Sequence, residues 1–169
     1  MIRKIMIIAL LLVFWSLPAT ALDSIEDAEM SFAKGEFKQA SKQAEKLLKT
    51  QPDNIRAGIV LAECHNESQK YMKAISIYKD LIKKAPDNME LVFRLGIVYN
   101  NAEYHANAVD VYKQIVAVQP ENMKAHHRLG ISYALCMDLS AAYDEFRILK
   151  KRDEKLANDL LQYIQTNDK

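Results

Sequence analysis

The chain has 169 residues, 23 Lys plus Arg against 22 Asp plus Glu, and a formal net charge of +1. That balance gives no strong attraction to nucleic acid or to acidic lipid, and 50% hydrophobic residues exclude a disordered chain. Two cysteines exclude a disulfide-built mini-protein, and four Gly with four Pro supply too little turn chemistry for a β-sandwich. Long helices with short connections remain.

Residues 1–21 read as an export signal. Arg3 and Lys4 precede an apolar run from Ile5 to Leu17, Pro18 ends it, and Ala19-Thr20-Ala21 offers the small residues a signal peptidase accepts. The run is short against the roughly 20 residues that cross a bilayer. We therefore expect cleavage after Ala21 and export, most naturally to a bacterial periplasm. The alternatives are an uncleaved N-terminal anchor or secretion.

Beyond residue 21 the prolines set a period. Pro52, Pro86 and Pro120 are evenly spaced, and they open Pro52-Asp53-Asn54, Pro86-Asp87-Asn88 and Pro120-Glu121-Asn122. In the same register Leu61, Leu95 and Leu129 align, then Ala62, Gly96 and Gly130, then Ala74, Ala108 and Ala142, then Tyr78, Tyr112 and Phe146. Small, aliphatic and aromatic residues held in phase over three units mark a repeat architecture. Within a unit, the Asn suits a helix N-cap and the acid before it favours the positive end of the helix dipole. Apolar residues at three- and four-residue spacing then predict a helix of about three turns. A short turn leads to a second helix ending in cations, such as Lys46 and Lys49, Lys83 and Lys84, or Lys150 to Arg152. The small residues let the two helices approach closely.

This pattern resembles the tetratricopeptide repeat (TPR) family, with its aromatic, Leu-Gly, Tyr, Ala, aromatic and closing Pro. Leu61, Ala62, Ala74, Tyr78 and Pro86 match in one unit; Leu95, Gly96, Tyr99, Ala108, Tyr112 and Pro120 in the next; Leu129, Gly130, Tyr133, Ala142 and Phe146 in the third. The first aromatic is replaced by Gly58, Val92 and His126, and the late small residue by Leu81, Ile115 and Leu149. Upstream, Ala28, Gly35, Phe37, Ala40 and Pro52 fit a degenerate first repeat, as terminal units of such arrays drift. Leu156, Leu160 and Ile164 form the apolar stripe of a capping helix. The resemblance implies an all-α fold, a right-handed superhelical α-solenoid of antiparallel helix pairs with about 3.5–4 TPR units. Units are expected at 22–54, 55–88, 89–122 and 123–153, with the capping helix at 154–165.

The remaining chemistry-bearing residues point away from catalysis and cofactors. His65 and His105 stand where the family places packing tyrosines, and His126 where it places its first aromatic. His126 and His127 diverge by about 100° on a helix and do not converge on one ion. Cys64 occupies a small packing position. Cys136 lies near a turn, where it is either an inert thiol or a candidate for an intermolecular bridge, and stacked repeats keep the two beyond disulfide reach. No nucleophile–base pair, phosphate loop or HExxH helix is present. The chain is therefore read as a non-enzyme with no cofactor, metal or nucleic-acid partner.

The family resemblance implies that first helices line a groove for a peptide or partner helix. Carried onto this chain, the groove takes Arg56, Ile59, Glu63 and Asn66 from the second unit. The third unit adds Phe93, Arg94, Ile97, Asn100 and Asn101, and the fourth adds Lys124, His127, Arg128 and Ile131. Ile59, Phe93, Ile97 and Ile131 offer apolar contacts, the asparagines offer pairing to backbone amides, and the cations offer a carboxylate contact. One TPR subtype grips a chain-terminal carboxylate with Lys and Asn, then Asn, then Lys and Arg. Lys124 and Arg128 match the last pair; Ile59, Glu63 and Arg94 depart from the rest, so that clamp is not expected. The sequence thus predicts a scaffold for an envelope protein segment, with a self-associating homo-oligomer as the alternative.

Overall fold

The computed structural model describes residues 24–167, and the expected signal segment lies outside them. The described residues form nine helices and no strand: α1 Ile25–Ala33, α2 Phe37–Thr50, α3 Ile55–Glu67, α4 Tyr71–Lys84, α5 Met89–Asn101, α6 His105–Val118, α7 Met123–Leu135, α8 Leu139–Lys150 and α9 Glu154–Asn167. Each helix packs against the next in chain order, and α1 also touches α3 while α9 touches α7. This is an α-solenoid of antiparallel helix pairs.

Local chemistry sets the helix ends. Asn54, Asn88 and Asn122 cap α3, α5 and α7, accepting from the backbone N–H of Ala57, Glu90 and Ala125. Ser24 and Asp27 form a reciprocal capping box on α1. The turn inside each pair depends on one residue in the left-handed region: Gly35 (φ 77°), Gln69 (57°), Glu103 (63°) and Met137 (62°). The following N–H closes the turn onto a carbonyl five residues back, as in Lys70 to His65 at 2.8 Å and Tyr104 to Tyr99 at 2.8 Å. The last pair departs from the period. Asp153 caps the backbone N–H of Leu156, so α9 begins three residues earlier than an Asn122-type spacing would place it.

The core lies between the helix layers as three successive clusters. Ala74, Ala108 and Ala142 are fully buried, as are Tyr78 and Tyr112. Gly96 explains the closeness of α5 and α6, since a Cβ there would sit 2.5 Å from Cζ of Tyr112. Ala157, Leu160 and Ile164 of α9 close the end of the core, with Leu156 packed beside them. No helix among the described residues is long and apolar enough to cross a membrane.

Candidate functional site

The first helix of each pair supplies one face of the solenoid, and the thirteen nominated residues lie on α3, α5 and α7. Most of them pair with one another or with a neighbouring helix. Arg56 donates from Nε and Nη2 to the two carboxylate oxygens of Glu29 at 3.0 and 2.6 Å, and from Nη1 to Glu26 at 3.3 Å. This fork ties α3 to α1. Glu63 accepts from the Tyr78 hydroxyl at 2.5 Å and from Arg94 Nη1 at 2.9 Å, tying α3 to α4 and α5. Arg94 Nε also lies 2.8 Å from Glu90.

The amides are engaged as well. Asn101 donates to Asn66 at 2.9 Å, and Asn100 donates to the buried Ser132 hydroxyl of α7 at 2.8 Å. Asn66 is only 6% exposed. His127 is 8% exposed, with Nε2 2.8 Å from Asp159 of α9, off the line of a good hydrogen bond. Burial holds its imidazole below the ordinary histidine range despite that carboxylate. Asn66 and His127, expected as ligand contacts, therefore serve the joints between helices. Arg56, Glu63, Arg94, Asn100 and Asn101 are held in the same ladder.

What remains open is an apolar ridge and two cations. Ile59, Phe93, Ile97 and Ile131 are half-buried, while Lys124 and Arg128 are exposed. A hollow of about 260 Å³ lies among Glu29, Phe32, Arg56, Ile59, Val60, Glu63 and Arg94. A second, about 420 Å³, is bordered by Met89, Glu90, Phe93, Gln119 and Lys124. A further hollow, about 1180 Å³, follows α2 and contains none of the nominated residues; it is a shallow helix surface lined mostly by charged and amide side chains.

His126 and Cys64 take packing roles. His126 presents Nδ1 to Glu145 at 2.6 Å and Nε2 to the carbonyl of Pro120 at 3.0 Å, pinning the inter-repeat turn to α8. Cys64 is buried and its thiol is pushed up to about 11, chiefly by burial. Cys136 is exposed at the end of α7. Among the described residues no three His, Cys, Asp or Glu side chains converge as metal ligands do. The partners that sequence reasoning missed are Glu26, Glu29, Ser132 and Asp159. The periodic register carried one signal for them: Glu29 stands at the position of Glu63 one unit earlier.

Comparison with known proteins agrees with this geometry. A family described as "Psidin, N-terminal TPR repeats region" matches residues 30–145. No curated protein matches the chain. Among solved structures, MamA of strain AMB-1 superposes with a TM-score of 0.65 at 24% identity, covering 78% of this chain and 74% of that one. MamA from Desulfovibrio magneticus RS-1 gives 0.65 at 14% identity, covering 83% and 90%. A tetratricopeptide repeat protein from Parabacteroides merdae ATCC 43184 gives 0.73 at 17%, covering 85% and 58%. At these identities the solved structures share the fold, and the family match over most of the chain goes further: the protein belongs to the tetratricopeptide repeat family.

Proposed function

We propose that the protein is a non-enzymatic scaffold that takes a polypeptide segment of an envelope partner along the face of α3, α5 and α7. One observation carries this reading. The ladder of pairs makes that face rigid, yet it leaves Ile59, Phe93, Ile97 and Ile131 half-exposed beside open cations at Lys124 and Arg128. A pre-ordered surface with apolar contacts and a few charges binds an extended segment with little ordering cost of its own. Export rests on the pattern of residues 1–21, and it supplies the compartment of the partner.

Capture from the native host tests the reading, with Phe93→Ala and Lys124→Glu compared with wild type after circular dichroism has shown both folded. Each variant should lose the captured partner at least fivefold. Undiminished capture by both would refute the groove. Retention of a second tagged copy of the same chain as the partner would establish self-association instead.

A further inference from the structure

The near-neutral total charge hides a segregation between the first and the second helices of the pairs. Residues 24–33, 52–67 and 87–101, which hold the first helices α1, α3 and α5, carry eight acids against two arginines. Residues 34–50 and 70–84, which hold the second helices α2 and α4, carry ten lysines against three acids. On the first helices both arginines and half of those acids neutralise one another, Arg56 with Glu26 and Glu29, Arg94 with Glu63 and Glu90. The second helices are different. Lys83 pairs with Asp80 and Lys84 with Asp53, but no described carboxylate pairs with Lys38, Lys42, Lys49, Lys70 or Lys73, all of them exposed. Lys38, Lys42 and Lys49 line the shallow hollow along α2. On α4 an apolar element joins the cations. Met72, 62% exposed, stands between Lys70 and Lys73, and the three border a hollow of about 350 Å³ with Tyr71, Ala102 and the 46% exposed Tyr104. The next second helix, α6, ends the basic surface, with Lys113 alone against Asp110.

We propose that the face of α2 and α4 docks on a membrane surface that carries anionic lipid headgroups. Charge complementarity selects an anionic partner, and two further observations select a bilayer. The unpaired lysines lie on two helices rather than in one row, so they cover a surface; a bilayer meets all of it, a single acidic strand only one line. Met72 and Tyr104 stand exposed among them. Beneath the phosphates of a bilayer lie acyl chains, which take up an exposed methionine and hold a tyrosine ring at headgroup depth. An acidic protein or a nucleic acid supplies the charge without that apolar layer. Each lysine near the anionic surface adds to the attraction, which acts within a Debye length. The proposal goes beyond the groove reading and does not depend on it, since the lysines belong to the other helix of each pair.

The test is sedimentation of the protein, in the form that accumulates in its host, with vesicles. One set is phosphatidylcholine alone and the other contains about 30% phosphatidylglycerol. Comparing the two cancels any apolar insertion by residues 1–21. Binding to the anionic vesicles should exceed binding to the neutral ones at least tenfold. It should fall at least fivefold as salt rises from about 0.05 M to about 0.3 M. Lys38→Glu with Lys42→Glu, and Lys70→Glu with Lys73→Glu, should each lower it at least fivefold. Lys151→Glu with Lys155→Glu makes the same change of charge at the far end of the array and should lower it less than twofold. Met72→Ser, which leaves the charge alone, should lower it at least threefold. All these positions are exposed, and circular dichroism checks that each variant is folded. Equal binding to the two vesicles, or an equal loss in the far pair, overturns the surface. Undiminished binding by Met72→Ser overturns the bilayer in favour of a partner recognised by charge alone, such as an acidic protein. Either failure leaves the groove reading to its own test, because Phe93→Ala and Lys124→Glu lie on the first helices.

Discussion

Glu63 on α3 and Arg94 on α5 hold one another at 2.9 Å, and the same carboxylate oxygen receives the Tyr78 hydroxyl at 2.5 Å. The ion pair is partly solvated, so its Coulomb energy alone is modest. The buried phenol makes the site matter, because losing Glu63 strands it. Glu63→Ala should therefore cost about 1–3 kcal/mol in urea unfolding. The matched pair Tyr78→Phe and Tyr112→Phe sharpens the point. Tyr78→Phe should lose about 1 kcal/mol, whereas Tyr112→Phe, which deletes an unpartnered hydroxyl, should be neutral or stabilising. Equal losses in the two would show that the two junctions do not differ.

The left-handed turn residues give a second prediction. Gly35 takes that backbone without strain, but Gln69, Glu103 and Met137 carry a Cβ there. Met137 is exposed, so replacing it sacrifices little packing. Glu103→Gly and Met137→Gly should each raise stability by roughly 0.5–1 kcal/mol, read as a higher urea midpoint at unchanged slope. Gly35→Ala should lower it by a similar amount. A fall in the midpoint of both Gly variants would contradict the strain assigned to these turns.

Close approach of helices predicts an order among Gly→Ala substitutions. At Gly58 the new methyl meets the end of the Leu81 side chain at 2.6 Å, and that side chain can rotate away. At Gly96 it meets the Tyr112 ring at 2.5, 2.8 and 2.9 Å, and a ring buried on all sides cannot. Gly96→Ala should cost about 1–3 kcal/mol through overpacking. Gly58→Ala should stay within about 1 kcal/mol of wild type, helped by the helix propensity of alanine. Thermal melts of the two variants check the order.

Acid should weaken the C-terminal end of the array. Burial depresses the folded pKa of His127 below its ordinary value, against the opposing pull of Asp159 and Asp153 and with the repulsion of Arg128 adding to it. The unfolded chain therefore takes up the proton first. Stability is full above the unfolded pKa of about 6.5 and falls as pH drops below it. His65 shifts in the same direction, again mainly through burial. Between pH 7.5 and 5.5 the wild type should lose more stability than His127→Gln. Parallel pH profiles would show that His127 does not contribute.

The fold was legible because its determinants are local or strictly periodic. The Pro-Asp-Asn and Pro-Glu-Asn openings give caps at Asn54, Asn88 and Asn122, and Ala74, Ala108 and Ala142 fall where the helices touch. The start of α9 was legible too, since the capping helix was expected from residue 154, but the Asp153 cap that fixes it was not. Nor were the turns, since Gln69, Glu103 and Met137 carry no turn signal and only Gly35 announces the conformation. The candidate face was half legible. Period alone puts Arg56, Glu63 and Arg94 on it, but whether such side chains reach a ligand or each other depends on residues some thirty positions away, as with Glu29 for Arg56 and Ser132 for Asn100.

The most direct measurement is site-specific photocrosslinking in the native host, with the probe at Lys124 on the open face and at Lys79 on α4 as control. The account predicts a discrete adduct with a foreign polypeptide at Lys124 and none at Lys79. The same adduct at both sites, or none at Lys124, would contradict a scaffold that binds its partner along α3, α5 and α7.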